Sequence, residues 1–406
     1  MSHAKSFDIR YTKTPCKWSL NSEKPSPHTK ECHAPTPKIC NSVLDAIGNT
    51  PMVRVNSLCK KENIQCEVLA KCEYLNPGGS VKCRIGRRII EDAEKTGRIS
   101  PGYTLIEATA GNTGIALAMA AAVKGYKLIV TMPEKMSTEK SDTLKAFGAQ
   151  VVRCPGAPFG SPESIAGVAK KLQSELPNSV ILDQFSNPSN PLAHYDTTAE
   201  EILEQCDGKV DYVVVSAGTG GTLTGLSRKL KEKLPNVQVI AADPEGSIIS
   251  DPENAASGPY KVEGIGYDFV PRTCNRDLVD QWIKVNDQSC FSTARNLIKH
   301  EGLMVGGTSG ANMWAAIQVA KSLPAGKRVV VILPDSMRNY MTKFVNDQWM
   351  LDNGFTIEEE AEPPKAESSL LCMLKSHYTH ILAAGGLLSL GFVCGISAAL
   401  TLKSLK

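Results

Sequence analysis

Short β-branched runs alternate with Ala- and Leu-rich stretches of helical spacing between Ser42 and Phe355, and this alternation leaves few folds open. A strand–helix–strand order predicts a mainly parallel α/β sheet. Continuous apolar strands further predict helices on both faces of the sheet. The predicted strands include Leu105–Ile106, Leu128–Val130, Val151–Val152, Val213–Val215, Val239–Ala242 and Val329–Leu333. The predicted helices include Thr113–Val123, Ser137–Phe147, Ser161–Leu176, Ala193–Cys206, Thr222–Leu234, Ser292–His300 and Ser309–Ser322.

The size of residues 42–355 predicts more than one hydrophobic core. The chain has 406 residues, and single cores stop growing at about 250–300 residues. We therefore predict two parallel-sheet α/β lobes around a cleft. A hydrophobic fraction of 42% excludes a mainly disordered chain. The net charge is only +3, with basic residues scattered among acidic ones, and it does not favour nucleic-acid binding.

Cysteine usage predicts a reducing compartment. The 13 cysteines are odd in number and spread along the chain, which is not typical of a small disulfide scaffold. Cys66, Cys72 and Cys206 fall inside predicted strands or helices, and we expect them to be reduced thiols. Residues 1–20 carry charges and no apolar run, so no secretory signal peptide is expected. These features together predict a cytoplasmic protein.

The segments outside the α/β region differ from it in composition. Residues 1–41 are polar and rich in proline, which predicts an irregular arm without a core of its own. Residues 356–380 predict an acidic linker. Residues 381–402 carry no charge, and a helix of this length would measure about 33 Å, enough for a bilayer core of about 30 Å. This predicts a C-terminal membrane anchor, with a buried or partner-packed helix as the alternative.

The segment Asn76-Pro-Gly-Gly-Ser-Val-Lys82 predicts a tight turn that brings a lysine to the start of a helix. Burial and the positive end of a helix both lower the pKa of an amine. A lysine with a lowered pKa is suited to Schiff-base chemistry. The alternative is an ordinary solvated lysine.

Three further loops combine glycines with hydroxyl side chains near a helix start. Thr109-Ala-Gly-Asn-Thr-Gly114 predicts backbone N–H groups that approach an anion, or else an ordinary strand-to-helix turn. Ser216-Ala-Gly-Thr-Gly-Gly-Thr222 predicts a nest for one small phosphate. It lacks the glycine spacing of dinucleotide loops and the lysine-hydroxyl ending of triphosphate loops. Val305-Gly-Gly-Thr308-Ser-Gly310 places a hydroxyl where a helix cap is the usual role.

In their order and residues, these four segments resemble the pyridoxal phosphate site of the cystathionine β-synthase and O-acetylserine sulfhydrylase family. That family has fold type II among pyridoxal phosphate enzymes, and the resemblance covers about residues 42–355. Val262–Phe269 and Arg338–Phe344 are similar to the animal cystathionine β-synthases in particular. The resemblance extends to Asp45–Val53, Met132–Met136, Asn190–Tyr195 and Leu333–Ser336. It also implies a homodimer.

The resemblance implies roles for individual residues. Lys82 would hold pyridoxal 5′-phosphate covalently and act as the base for the α-proton of the substrate. Asn112 would hydrogen-bond the ring oxygen of the cofactor, and Thr308 would face its ring nitrogen. The residues around the phosphate would be Gly218, Thr219, Gly220, Gly221 and Thr222. The residues that bind the substrate would be Thr109, Ala110, Gly111, Thr113, Phe185, Gly266 and Tyr267.

The N-terminal arm resembles the haem-binding arm of the animal cystathionine β-synthases. By this resemblance, the Cys16 thiolate and the His28 imidazole would be the axial ligands of a haem b iron, with a structural or regulatory role. Arg228 would pair with the thiolate. The spacing of the two ligands is one residue shorter than expected, and His33 is a competing imidazole. The alternative is an arm with an incidental cysteine and histidine.

The chain departs from the family pattern next to the predicted site. Cys83 follows the lysine where we expect Asp, and Ala110 stands where we expect Ser. Phe185 and Ser186 stand where we expect Tyr and Arg. We also expect a regulatory tandem domain after Phe355, and the sequence continues there with the acidic linker instead. No response to S-adenosylmethionine through such a domain is therefore expected.

Loss of a carboxylate beside the reactive centre favours an anionic nucleophile. At about 6 Å and an effective dielectric constant near 20, each charge pair is worth about 2.8 kcal/mol. We therefore predict a cysteine lyase-type β-replacement, in which L-cysteine and sulfite give L-cysteate and hydrogen sulfide. The main alternative is the cystathionine β-synthase reaction of serine or cysteine with homocysteine. An activity like that of cysteine synthase or cyanoalanine synthase, or a catalytically silent haem-binding sensor, are further alternatives.

Overall fold

The computed structural model describes residues 33–357, except residues 110, 135, 137, 158 and 159. The chain divides into a unit of Met1–Ile357 and a unit of Glu358–Lys406, and all described residues belong to the first. The predictions for Cys16, for His28 and for the apolar segment 381–402 lie outside the described residues. Within the described part of the chain, no helix has the length and apolarity that crossing a bilayer requires.

Two sheets form the framework. The strands are β1 (Met52–Arg54), β2 (Glu67–Lys71), β3 (Thr104–Ala108), β4 (Lys127–Pro133), β5 (Gln150–Cys154), β6 (Ser179–Ile181), β7 (Tyr212–Ser216), β8 (Gln238–Pro244), β9 (Gln281–Val285) and β10 (Arg328–Ile332). The larger sheet has the order β1-β2-β10-β7-β8-β9, and the smaller has the order β5-β4-β3-β6. Only β1, which pairs with β2, runs antiparallel among these strands. The prediction of two mainly parallel α/β lobes is confirmed.

Helices connect the strands. They are α1 (Ser57–Lys61), α2 (Lys82–Lys95), α3 (Asn112–Lys124), α4 (Thr138–Ala146), α5 (Ile165–Glu175), α6 (Ser189–Ala193), α7 (Ala199–Gln205), α8 (Gly221–Lys233), α9 (Asp287–Glu301), α10 (Gly307–Ala320) and α11 (Asp347–Asp352). Both faces of the larger sheet are covered. Val329 and Val331 of β10 pack into one apolar cluster with residues of α9 and α10, whereas Val330 packs into another with residues of α8.

Three predicted helices differ from the structure. The helix expected at Ser292–His300 begins earlier, at Asp287, because the Asn286 side chain accepts a hydrogen bond from the Ser289 N–H at 2.8 Å and caps it there. The helix expected at Ala193–Cys206 is interrupted by a π-helical turn at His194–Thr198, which joins α6 to α7. At this point α8 approaches closely, since a Cβ on Gly225 would lie 2.2 Å from the Pro191 carbonyl oxygen. The helix expected from Ser161 begins at Ile165, because the Ser164 hydroxyl accepts a hydrogen bond from the Gly167 N–H at 3.1 Å and caps it.

The carboxyl ends of β3, β7 and β10 open on one cavity of about 920 Å³ between the sheets. In open α/β sheets, ligands bind in the crevice outside the carboxyl ends of the strands. This arrangement brings together loops that are far apart in the sequence. The loop after β3, the loop after β7 and the segment after β10 all line the cavity, together with the start of α2.

Candidate active site

The turn before α2 is fixed to the segment after β10. The Val81 N–H donates to the Pro334 carbonyl oxygen at 2.7 Å, and the Ser336 N–H donates to the Gly79 carbonyl oxygen at 3.1 Å. Gly79 has a φ of +76°, which favours glycine. The predicted tight turn therefore holds Lys82 at the first position of α2, against the larger sheet.

The Lys82 amine faces the cavity. Its Nζ has no hydrogen-bond or ion-pair partner among the residues that the structure describes. Burial lowers the pKa of Lys82 to about 8, although the nearby Asp335 carboxylate opposes the shift. A substantial fraction of this amine is thus neutral near physiological pH, as a nucleophile or base requires.

The loop after β3 presents small and hydroxyl residues at the N-terminus of α3. Thr109, Gly111, Asn112 and Thr113 all line the cavity. The Thr109 hydroxyl oxygen accepts a hydrogen bond from the Gly111 N–H at 3.3 Å, and the Thr113 hydroxyl donates to Gln184 Oε1 at 2.6 Å. The helix start favours a bound anion such as a carboxylate. Ala110, which we predicted as part of this loop's site, lies outside the described residues.

Asn112 is held by side chains from beyond β10. Its Nδ2 donates to Asp335 Oδ2 at 2.8 Å, and its Oδ1 accepts from Asn339 Nδ2 at 3.0 Å. The Tyr340 hydroxyl donates to the same Asp335 oxygen at 2.6 Å. Burial raises the pKa of the Asp335 carboxyl, which is close enough to interact with Lys82. Sequence reasoning missed Asp335, Asn339 and Tyr340 as site residues, although two family-like segments contain them.

The predicted phosphate nest lies between β7 and α8. Gly218, Thr219, Gly220 and Thr222 line the cavity, whereas Gly221 is not part of its lining. Gly220 has a φ of +79°, and a Cβ added there would lie 2.2 Å from the Cys274 Cβ. The N-terminus of α8 therefore adjoins the cavity at this loop, and the positive end of a helix favours an anion.

Thr308 stands at the start of α10 and lines the cavity with an uncharged hydroxyl. Its Oγ1 donates to the Glu263 carbonyl oxygen at 2.8 Å. The resemblance implies that this hydroxyl faces the ring nitrogen of the cofactor, and to donate to that nitrogen it would have to leave the Glu263 carbonyl.

A partly buried carboxylate in the cavity lining, Glu263, was not predicted from the sequence. Glu263 forms ion pairs with Lys140 of α4 and with Lys343. Burial alone would raise the pKa of Glu263, but the two lysines hold it below its usual value. The Lys140 ammonium also lies 4.6 Å from the centre of the Tyr340 ring. No local pattern pairs these side chains, because they are distant in sequence.

One wall of the cavity is aromatic. The Phe185 ring lies edge-on to Tyr267 at 5.4 Å and to Phe269 at 5.5 Å between ring centroids, and all three residues line the cavity. Phe185 has no hydroxyl, and the adjacent Ser186 hydrogen-bonds Asp183 and does not line the cavity. Gly266, also predicted at the site, lies in the same lining.

Cys83 does not lie beside the reactive centre. This corrects the prediction that Cys in place of Asp removes a negative charge from that centre. Its Sγ accepts a hydrogen bond from the Gly78 N–H at 3.2 Å, and the side chain is buried in the apolar core of the smaller lobe. It is not part of the cavity lining, and burial raises the pKa of this thiol to about 11. Successive helical side chains point about 100° apart, so the residue after Lys82 faces elsewhere.

Of the residues predicted at or near the haem site, the structure describes only His33 and Arg228. Cys16 and His28 lie outside the described residues. His33, the competing imidazole, places its Nε2 3.4 Å from a Glu204 carboxylate oxygen, and Arg228 is half-buried on α8. Across the part of the chain that the structure describes, no group of His, Cys, Asp and Glu residues is arranged to hold a metal ion.

Comparison with known proteins gives a consistent result. The family described as pyridoxal-phosphate dependent enzyme matches residues 43–335. Cystathionine beta-synthase of Mus musculus is 57% identical over 353 residues, which are 86% of this chain and 63% of the relative. Cystathionine beta-synthase of Dictyostelium discoideum is 60% identical over 324 residues, which are 79% of this chain and 65% of the relative. The chain thus spans less than two thirds of the length of these relatives.

A solved structure supports the fold. A hydrogen sulfide-producing enzyme from Fusobacterium nucleatum is 38% identical, with a TM-score of 0.71. The similarity covers 74% of this chain and 100% of that one.

Proposed function

Because the chain belongs to the pyridoxal-phosphate dependent enzyme family, we propose that it catalyses a β-replacement of the cystathionine β-synthase type. In this reaction the β-substituent of L-serine or L-cysteine is replaced by the thiol of homocysteine. The observation that carries the proposal is the position of the Lys82 amine in one cavity with the glycine- and hydroxyl-containing starts of α3 and α8.

The cavity residues fit pyridoxal phosphate. Lys82 offers an amine without a partner among the described residues, and Gly218–Thr222 offers a phosphate-sized loop at the start of a 13-residue helix. A Cβ added at Gly218 would lie 2.3 Å from the Gly264 carbonyl oxygen. Any side chain at this position would therefore occupy the space beside the loop. When bound, the cofactor supplies an aldehyde for the lysine and an electron sink for elimination at the β-carbon.

The residues of the chain have separate tasks in this reaction. The Lys82 amine takes the α-proton of the amino acid and returns a proton later. The α3 N-terminus, with Thr109 and Thr113, holds the substrate carboxylate so that the α-proton faces the amine. Asn112, oriented by Asp335, keeps an N–H available toward the cavity after donating to that carboxylate.

The aromatic wall of the cavity favours homocysteine over sulfite. The aromatic wall of Phe185, Tyr267 and Phe269 suits an aliphatic chain better than a hydrated dianion. Cys83, which stands where the family has Asp, is buried outside the cavity. This difference is therefore no evidence that the nucleophile meets one negative charge fewer in the cavity. The relatives named cystathionine beta-synthase support the same choice.

Product analysis tests the proposal. Purified protein loaded with pyridoxal phosphate is given serine plus homocysteine, cysteine plus homocysteine, or cysteine plus sulfite, and products are identified by mass spectrometry. We expect cystathionine from both mixtures that contain homocysteine, with hydrogen sulfide released only from cysteine. Faster formation of cysteate than of cystathionine would reject the proposal.

The cysteine lyase-type reaction is the second candidate. It is favoured by Phe185, which presents no hydroxyl to the ammonium or carboxylate of a second amino acid, and by Ser186, which does not line the cavity. The mixture of cysteine and sulfite is its direct test. The similarity to a hydrogen sulfide-producing enzyme is compatible with cysteine as the first substrate in either candidate.

Three further predictions from the sequence stay proposals. Cys16 and His28 would hold haem b, the segment 381–402 would anchor an otherwise cytoplasmic enzyme to a membrane, and two chains would form a homodimer. All rest on the sequence patterns and the family resemblance described above.

A further inference from the structure

The loop expected to hold the cofactor phosphate is backed by the segment Asn190–Thr198, whose polar side chains the proposed reaction does not use. Asn190 is fully buried. Its Nδ2 donates to the Gln184 carbonyl oxygen at 2.8 Å and to Thr219 Oγ1 at 3.0 Å. Because the Gln184 carbonyl can only accept, the amide nitrogen must face it, which makes Thr219 an acceptor from Asn190.

His194 contacts the second hydroxyl of the loop. It is fully buried, with its Nε2 3.2 Å from Thr222 Oγ1 and its Nδ1 2.9 Å from Thr198 Oγ1. Burial, together with the positive charges of Arg84 and Lys82, keeps the pKa of His194 well below its usual value. The imidazole is therefore neutral, with one nitrogen as donor and the other as acceptor.

The two tautomers of His194 have opposite consequences for the loop. If Nδ1 carries the proton, the Thr222 hydroxyl must donate to Nε2 and would turn its lone pairs toward the cavity. If Nε2 carries the proton, it donates to Thr222, while the Thr198 hydroxyl donates to Nδ1. Only the second arrangement leaves the Thr222 proton available, and it gives every buried polar atom of the chain Thr198–His194–Thr222 a partner once an anion binds.

We propose that Asn190 and His194 are positioning residues that hold the Thr219 and Thr222 hydroxyls as hydrogen-bond donors to the cofactor phosphate. Asn190 donates to the Thr219 hydroxyl oxygen, and His194 donates to that of Thr222 when its Nε2 carries the proton. In that arrangement neither hydroxyl has an acceptor for its own proton among the described residues. Two donors are thereby oriented before the phosphate arrives. This inference rests on the proposed function, because it assumes that pyridoxal phosphate binds at Gly218–Thr222.

Binding of pyridoxal 5′-phosphate and of pyridoxal, which lacks the phosphate, tests the proposal in the full chain. Equilibrium dialysis compares the wild type with His194→Leu, Thr222→Val and the double variant. A hydrogen bond to a charged group is worth about ten- to hundredfold in affinity. We expect each single variant to lose about that factor for pyridoxal 5′-phosphate and to bind pyridoxal as the wild type does.

The double variant separates positioning from general damage. If His194 acts through Thr222, the double variant should lose no more affinity than Thr222→Val alone. His194→Gln, whose Nε2 can still donate to Thr222, should bind the phosphate more tightly than His194→Leu. Additive losses, an unchanged affinity of His194→Leu, or equal losses for pyridoxal and its phosphate would each overturn the proposal.

The tautomer gives a readout that does not require His194→Leu to fold. Nitrogen-15 NMR of the histidine-labelled holoenzyme, assigned with His194→Gln, should show the proton of His194 on Nε2. A proton on Nδ1 would overturn the proposal. If the wild type binds no pyridoxal 5′-phosphate through Lys82, the proposed function itself fails, whereas a bound cofactor with indifferent variants refutes only this inference.

Discussion

Burial and a nearby carboxylate shift the pKa of the Lys82 amine in opposite directions. Burial lowers the pKa to about 8, and Asp335 limits the shift. The amine therefore remains protonated often enough to return a proton and neutral often enough to take one. The sequence predicts the turn and the helix start, but it could not predict Asp335, which is 253 positions away and reaches the site through β10.

Replacing Lys82 by alanine should abolish turnover while leaving the fold intact, because the amine has no hydrogen-bond or ion-pair partner among the described residues. Borohydride reduction and peptide mapping should place the cofactor on Lys82 in the wild type and give no adduct in the variant. Lys95→Ala, an exposed lysine at the end of the same helix, is the control and should behave as the wild type. Retained turnover in Lys82→Ala would refute its role.

The buried carboxyl group of Glu107, on β3 of the smaller sheet, makes the free energy of unfolding depend on pH. Its carboxyl oxygens accept the Asp183 N–H at 2.9 Å and the Gln184 N–H at 3.1 Å. Burial and the Asp183 charge raise the pKa of Glu107 from 4.5 to about 8. Between these values the folded chain keeps a proton that the unfolded chain loses, so this contribution to stability falls as pH rises.

Glu107→Gln, which cannot titrate, should remove this part of the pH dependence. We expect the melting temperature of the wild type to fall more steeply between pH 5 and 8 than that of Glu107→Gln. Glu91→Gln, at an ion-paired position on the outer part of α2, is the control and should keep the wild-type slope. Parallel curves for the wild type and Glu107→Gln would show that Glu107 is ionised throughout this range.

At the scale of elements, α2 is fixed by a cluster of buried charges. Arg84 donates to both Glu73 oxygens at 2.7 Å and to Glu201 at 2.6 and 2.8 Å. Lys71 of β2 donates to the same Glu201 at 2.6 Å. The cluster joins α2 to α7 and to the larger sheet. Because Arg84 is only two residues after Lys82 on α2, the cluster also holds the reactive lysine in place.

Arg84→Leu should destabilise the protein by about 3–5 kcal/mol, because it leaves buried carboxylates without their partner. Arg87→Leu on the same helix is the matched control, since the Arg87–Glu91 pair is half-exposed and should cost about 1 kcal/mol or less. Melting temperatures of the two variants check the difference. Equal losses would mean that the buried cluster contributes no more than a surface pair.

The regular elements follow from the sequence because their causes are local. Apolar runs such as Val213–Val215 and the glycine-hydroxyl loops at helix starts predict strands, turns and anion sites directly. The π-helical turn at His194–Thr198 depends on the approach of α8, and the orientation of Cys83 depends on which face of α2 meets the core. Both features depend on packing between segments that are distant in the sequence. The hydrophobic periodicity of a single segment cannot predict such packing.

At the scale of the molecule, an ion pair of Glu263 in the cavity lining joins the two lobes. This carboxylate follows β8 of the larger sheet, and it pairs with Lys140 of α4 in the smaller lobe. It also pairs with Lys343 beyond β10. The Lys140 side chain is only 3% exposed, so its charge has no ready compensation from solvent. The bridge should therefore favour a closed cavity, in which water is excluded from the reacting atoms.

Glu263→Gln should loosen α4 from the larger lobe, because it leaves two lysines without their carboxylate. We expect faster hydrogen exchange in Thr138–Ala146 and a higher KM for the amino acid substrate, with the Lys82 adduct retained. Glu253→Gln, an exposed position in the same connection, is the control. Lys140→Met should reproduce the faster exchange, since it breaks the same pair from the other side. If exchange in α4 stays at the wild-type rate in both variants, the lobes are held together by the apolar contacts of α4 and the Glu263 bridge does not control closure.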